Sequence, residues 1–341
     1  MEKREIQQQL LLFENTDIVR EWFRIFHNKE LKSKKNKEIN SAAKQSREFF
    51  RNAELAHNSV RPLLTYYGIN TLSKALILLL DPTTEEANLK PGHGLITKSW
   101  NNTLLKENIG TSLREIGKLE VKTCTGLFTE LVRATDNTTS IHTYSSCVDW
   151  RLPYDVPQIG FTFTLSELLS RIPDLDIDLS YLGLQEKYSR VTDISYKDST
   201  GFMCKVDSKF DIMKGVFERF GYCIEAYEKD YKLKCCSDTF SEFRPLFYHK
   251  YVNNIFSSIP ELFMVQPFGN TNCYSEMAVV YLLSYYLGML VRYYPTHWNA
   301  LIQGEKGDIY WPILNRAQKY TEMVFPELVI EFVNDKLKQC D

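Results

Sequence analysis

Thr271–Trp298, TNCYSEMAVVYLLSYYLGMLVRYYPTHW, restricts the fold more than any other stretch. Its apolar residues leave no polar stripe at helical spacing, so a helix here is buried nearly all round. Met277–Val291 is its apolar heart, bounded by Glu276 and Arg292. That is shorter than the ~18–20 uncharged residues of a membrane span, and no other run reaches that length. The stretch therefore predicts one long core helix inside a globular protein. A chain of 341 residues, 44% hydrophobic and 25% charged, is large enough to enclose it.

A second such helix is expected at Ser59–Pro82. Ser59 is a suitable N-cap, Pro62 falls in the first turn and Asp81-Pro82 stops the run. Gly68 inside it costs about 1 kcal/mol relative to Ala, which a close helix–helix approach would explain. Residues 5–27 carry apolar positions at helical spacing, broken at Asn15-Thr16-Asp17, where a second helix is capped. Residues 28–38, NKELKSKKNKE, read as an exposed basic loop or helix end, with a phosphate-contacting patch as the sharper reading. Asn40–Ala56 is helical.

Residues 83–158 change character, with more Gly, Thr and Asn, and predict short strands and loops. Phe161–Leu169 runs from alternation into a helix, with Thr164 or Ser166 as its cap. Tyr188–Asp207 and Tyr222–Leu233 alternate as strands, and Phe210–Phe220 is helical between them. Helical pattern returns from Phe240, with pieces at Phe243–Ile255 and Lys319–Leu337, the latter interrupted at Pro326. The expected fold is mainly α with a mixed α/β middle (α+β). Three segments, 1–82, 83–239 and 240–341, form one compact unit in which N- and C-terminal helices pack as a bundle.

Net charge is −2, so nothing favours wholesale coating of nucleic acid. The eight cysteines, Cys124, Cys147, Cys204, Cys223, Cys235, Cys236, Cys273 and Cys340, form no CxxC and no zinc-finger spacing. With a polar N-terminus lacking a signal-peptide core, reduced thiols in a cytoplasmic protein are expected. Asp174, Asp176 and Asp178 alternate, which reads as a strand or turn with Leu175 and Ile177 inward rather than as a cation site. No cofactor and no metal is expected. The absence of P-loop, dinucleotide, nucleophile-elbow and HExxH motifs removes the readily recognised NTPase, Rossmann, serine-hydrolase and zincin readings.

Five stretches in order resemble the YaaC-like family of bacterial proteins. They are SVRPLLTYYGINTLSKALILLLDP (Ser59–Pro82), HGL (His93–Leu95), VKTCTGLFTEL (Val121–Leu131), PYDVPQIGFTFTLSELLSRIPDL (Pro153–Leu175) and SEMAVVYLLSYYLGMLVRYYPTHW (Ser275–Trp298). The resemblance implies a bacterial-type cytoplasmic protein and transfers no catalytic residue.

Arg292-Tyr-Tyr-Pro-Thr-His297 resembles the Arg-x4-6-His motif of HEPN ribonucleases, helical domains that often dimerise. In that chemistry the histidine acts as base on a ribose hydroxyl and the arginine stabilises phosphate charge, without metal. Such spacing occurs at Arg20/His27, Arg51/His57, Arg244/His249 and Arg292/His297, so it does not by itself select a site. Arg51/His57 is the most HEPN-like locally, because Asn52 follows the arginine within a helical segment. Pro295 breaks the helical spacing between Arg292 and His297. Arg61 stands in a first helical turn, where the dipole disfavours a cation, and is expected to meet a carboxylate such as Glu276 or an anion. His93 after a loop is a candidate ligand contact.

The leading expectation is a non-catalytic binding or regulatory protein with a protein partner or self-association, and without membrane insertion. The alternative is a HEPN-like endoribonuclease or toxin-like effector acting on RNA, with phage defence as its setting.

Overall fold

A computed structural model describes residues 3–143, 148–197, 201–212, 214–219, 221–235, 247–249, 262–269 and 271–340. Helices α1 (Lys3–Leu10) and α2 (Thr16–His27) form the opening pair. Asn15 caps α2, accepting the backbone N–H groups of Asp17 and Ile18 at 3.0 Å. Helix α3 (Ser33–Leu55) begins within the basic run, so the run is a helix end as one of its readings had it, but it is not exposed throughout. The Lys35 side chain is buried and its amine donates to the carbonyls of Asp81 and Thr84. Lys34 pairs with Glu85 at 2.6 Å. These two cations are committed to neighbouring protein groups rather than to phosphate.

Helix α4 (Arg61–Leu80) starts after Val60, not at a Ser59 cap. Ser59 instead turns back on His57, its backbone N–H donating to Nδ1 at 3.2 Å. The close approach expected at Gly68 is present: a Cβ there would lie 3.2 Å from the Phe50 ring of α3. By length and composition α4 would pass as a membrane span, yet 67% of its most apolar window is buried inside the protein. Arg61 is held by a carboxylate, but that of Glu322 and not Glu276, with Nε and Nη2 donating at 2.8 and 3.0 Å. Glu322 is nearly fully buried, so this bidentate pair offsets the unfavourable first-turn cation.

Next come strand β1 (His93–Lys98), helices α5 (Trp100–Leu104) and α6 (Ile109–Arg114), strand β2 (Glu120–Gly126) and helix α7 (Leu127–Ala134). The expected strands are present, but helix is more frequent than the polar composition suggested. In α7, Leu127, Phe128, Leu131 and Val132 are buried at helical spacing. Strands β3 (Thr138–Thr143) and β4 (Val148–Pro153) form an antiparallel hairpin within residues 83–158, where short strands and loops were expected. Strand β5 (Thr162–Thr164) completes an antiparallel sheet of order β1-β2-β5 and runs into α8 (Leu165–Leu169), as alternation predicted.

The aspartate-rich stretch is helical, a 3-10 turn at Pro173–Leu175 followed by α9 (Asp176–Leu179). Leu175 is buried but Ile177 is 53% exposed, so the alternating-strand reading fails. Strands β6 (Tyr188–Lys197), β7 (Gly201–Val206), β8 (Cys223–Tyr227), β9 (Asp230–Cys235), β10 (Phe247–His249) and β11 (Leu262–Val265) form a sheet of order β10-β11-β6-β7-β9-β8. Helix α10 (Lys214–Arg219) lies between β7 and β8 in sequence. Phe247–His249 is strand where helix was expected; the rest of Phe243–Ile255, with Arg244 of one Arg–His pair, lies outside the described residues.

The opening feature resolves into α11 (Glu276–Tyr293) and α12 (Pro295–Ile302), divided at Tyr294 because Pro295 cannot continue the hydrogen-bond ladder. Every residue of α11 from Glu276 to Val291 is buried. A Cβ on Gly288 would lie 2.8 Å from the Tyr66 Cβ, so α4 and α11 touch at backbone range. Helix α13 (Trp311–Lys338) runs unbroken through Pro326, against the expected interruption. Val324, Phe325, Leu328 and Val329 are buried on both sides of the proline, and packing holds the helix together there. Gln318 donates to Thr65 at 2.7 Å and the Phe325 ring meets Tyr281, so the terminal helices pack together as expected.

Two compact units result: residues 1–137, 155–165 and 275–341 in the first, and 138–154 and 166–274 in the second. The first holds α1–α7, α11–α13 and the β1-β2-β5 sheet; the second holds the hairpin and the larger sheet. Asn137 marks where the chain leaves the first unit, and it ties together two points of return. Its Oδ1 accepts the Ser275 N–H at 2.8 Å and its Nδ2 donates to the Asp155 carbonyl at 3.0 Å. It is fully buried, with φ of 47° in the left-handed region that asparagine tolerates. Asn137→Gly keeps that backbone but strands both partners, at about 1–3 kcal/mol for each buried group left unpaired. Thermal unfolding is expected to show a Tm lowered by several degrees; an unchanged Tm would contradict the role assigned to Asn137.

Candidate functional site

Four elements of the first unit meet around His93. On α4, Tyr66, Asn70 and Lys74 recur every fourth residue, so they share one stripe, with Tyr67 beside it. On α11, Tyr281, Tyr285 and Arg292 share another. β1 supplies His93, and β2 supplies Cys124 at the bulge where the β1–β2 register shifts. The bulge requires glycine. Gly94 and Gly126 have φ of 75° and 148°, and a Cβ on Gly126 would lie 2.3 Å from the Gly94 nitrogen. This crossing sets the backbone that carries His93.

Hydrogen bonds converge on that residue from the core side. The Tyr66 hydroxyl lies 2.6 Å from His93 Nδ1, and the Tyr281 hydroxyl donates to the His93 carbonyl at 3.5 Å. Asn70 Nδ2 donates to the Tyr281 hydroxyl at 3.0 Å and to Tyr66 at 3.5 Å. Asn70 donates to both hydroxyls, and the Tyr66 hydroxyl has two acceptors in reach, Tyr281 and His93 Nδ1. We assign its hydrogen to His93 Nδ1, which places the proton of the neutral imidazole on Nε2. Among the described residues, Nε2 has no hydrogen-bond partner. Burial raises Tyr66, Tyr281 and Tyr285 well above the usual phenol range, so all three remain neutral donors.

Two cations lie within electrostatic reach of the imidazole. Burial, then the charges of Arg292 and Lys74, hold His93 below the usual histidine range. Arg292 is exposed and donates through Nη1 to the Tyr67 hydroxyl at 3.2 Å. Neither Arg292 nor Lys74 has a carboxylate partner among the described residues. Cys124 is half-buried, and burial raises its thiol, which disfavours a reactive thiolate. The arrangement offers one neutral N–H and two cations, donors suited to an anion.

The other candidates lie elsewhere. Arg51 is exposed, 3.8 Å from the Glu48 carboxylate, and His57 is turned onto Ser59. His297 Nε2 donates to the Leu104 carbonyl at 2.7 Å. Among the described residues, no hydrogen bond or ring contact joins Arg51 to His57 or Arg292 to His297. Arg61 is taken up by Glu322. Of the candidates read from the sequence, the structure brings together His93 and Arg292. Sequence reasoning missed Tyr66, Asn70, Lys74, Tyr281 and Tyr285; their polar atoms at four-residue spacing within apolar helices were the available signal. Among the described residues, no group of three His, Cys, Asp or Glu side chains could hold a metal ion.

Removing either cation favours the charged imidazole. Arg292→Ala and Lys74→Ala are each expected to raise the His93 pKa, read from imidazole resonances in an NMR titration. Because the folded value lies below the unfolded one, this group's contribution to stability is present above pH ~6.5 and lost as pH falls through the depressed value. A His93 pKa unmoved by both substitutions would contradict the placement of the cations.

Among families of known proteins, the model of one described as YaaC-like Protein matches residues 7–333. The match takes in all five stretches that carry the sequence resemblance. The local HEPN resemblance gains no support from it. No curated protein and no solved structure matches the chain.

Proposed function

The chain belongs to the YaaC-like family, and we propose that it is a non-catalytic binding protein whose ligand presents an anion to His93. One observation carries this reading. Tyr66, itself held by Asn70, bonds the imidazole and Tyr281 bonds the carbonyl of the same residue, while Nε2, Arg292 and Lys74 have no anionic partner among the described residues. This network ties His93 down at both ring and backbone. It resembles the support that a binding residue needs to stay within hydrogen-bond geometry. The six described cysteines are free thiols, which agrees with a reducing, cytoplasmic setting.

Titration calorimetry with inorganic phosphate and pyrophosphate tests the reading. Binding is expected to strengthen as pH falls through the His93 pKa, because an anion favours the imidazolium. The other titratable groups facing His93, namely Tyr66, Tyr281, Tyr285 and Cys124, are raised and stay neutral through that range. Arg292→Ala and Lys74→Ala are each expected to weaken binding roughly 10-fold, the worth of one charge-assisted hydrogen bond. Absence of heat with both anions, or affinity indifferent to both substitutions, would overturn the proposal.

A second reading, metal-independent cleavage of RNA, is favoured by one observation: the cation that the sequence paired with His297 acts on His93 instead. RNA cleavage in EDTA by the purified protein, lost in His93→Ala and retained in His57→Ala and His297→Ala, would establish it over the binding reading.

A further inference from the structure

We infer that the anion received at His93 is the phosphate of a nucleoside 5′-phosphate, whose base stacks on Tyr293. The inference rests on the reading of the His93 face as an anion site and specifies what else the ligand carries. Tyr293 ends α11, next to Arg292, and is 58% exposed. Among the described residues, only Tyr181 is a more exposed large aromatic, and Tyr293 stands beside Arg292. The Arg292 guanidinium carbon lies 5.1 Å from its ring centroid. Arg292 in turn donates to the Tyr67 hydroxyl, the Tyr67 ring lies 5.9 Å from that of Tyr66, and Tyr66 bonds His93. Contacts therefore run from the Tyr293 ring through Arg292 to His93.

The donor set favours phosphate. Lys74, His93 and Arg292 come from three different elements, and an anion with several oxygens can be met from three directions at once. An exposed aromatic ring next to a phosphate site offers a stacking surface to any base, because every base has a π-face. Arg292 lies between the two functions, donating to the Tyr67 hydroxyl while lying against the Tyr293 ring.

Calorimetry with AMP, UMP, ribose 5-phosphate, adenosine and inorganic phosphate tests this on the full chain. AMP and UMP are expected to bind roughly 10-fold more tightly than ribose 5-phosphate, the scale of one base-stacking contact. Tyr293→Ala should abolish the preference for AMP over ribose 5-phosphate; Tyr293→Phe should retain it. The residue is exposed, so its loss does not threaten folding, and unchanged thermal melting checks this. Equal affinities for AMP and ribose 5-phosphate, a Tyr293→Ala variant that binds AMP as before, or adenosine binding as tightly as AMP would each overturn the inference. Phosphate binding without a base preference would leave the anion site standing and remove only the nucleotide. Failure of every phosphorylated probe to bind would remove both. A 5′-phosphorylated oligoribonucleotide separates sources: tighter binding than AMP assigns the nucleotide to an RNA end, and weaker binding assigns it to the free monomer; either supports a nucleoside 5′-phosphate.

Discussion

Tyrosine hydroxyls hold the first unit together where apolar packing cannot. A buried helix laid against a small sheet brings strand carbonyls into the core, and each needs a donor. Helix α11 supplies them: Tyr281 to His93, Tyr285 to Leu95, and Tyr286 to Leu119 and Phe163 at 3.2 and 2.7 Å. Each ring fills apolar volume while its hydroxyl reaches a carbonyl that a leucine side chain could not bond. The Tyr286 ring also stacks on Trp100, so one side chain joins helix, sheet and the α5 segment.

That same requirement gives the His93 face its character. The hydroxyls that satisfy the sheet are aimed, through Tyr281 and Tyr66, at the one histidine on β1. Burial keeps the phenols neutral, so the network can donate but carries no charge to neutralise Arg292 and Lys74. Other cations of the unit are held by carboxylates: Arg61 by Glu322, Lys34 by Glu85, and Arg47 by Glu14. What sets Arg292 and Lys74 apart is their place beside the His93 network. The Gly288–Tyr66 approach makes it possible, because only a glycine lets α4 and α11 bring their polar stripes to one histidine.

The long helices were legible in the sequence because their signals are local. Asn15 as a cap, Gly68 as a close approach and the burial of Ser275–Val291 depend on neighbours within a turn or on mean hydropathy. Errors arose where distant residues decide. Pro326 should stop a helix, but burial on both of its sides overrides that preference. Lys35 looked solvated in a basic run, yet its partners lie on the loop after α4. At the site, His93 and Arg292 were both singled out, but separately, His93 as a lone ligand contact and Arg292 as the partner of His297. Sequence spacing paired Arg292 with His297, whereas the fold turns His297 onto Leu104 and sets Arg292 beside a histidine about two hundred residues away.

The central claim is that buried tyrosines fix the imidazole of His93 as a neutral ring protonated at Nε2. Long-range ¹H–¹⁵N correlation of the histidine side chains at neutral pH tests it most directly, with His93→Gln assigning the resonance and Tyr66→Phe removing the donor. The account predicts a neutral ring protonated at Nε2 in the native protein, and in Tyr66→Phe a shift toward mixed tautomers. A His93 ring protonated at Nδ1, or doubly protonated at neutral pH, would contradict it.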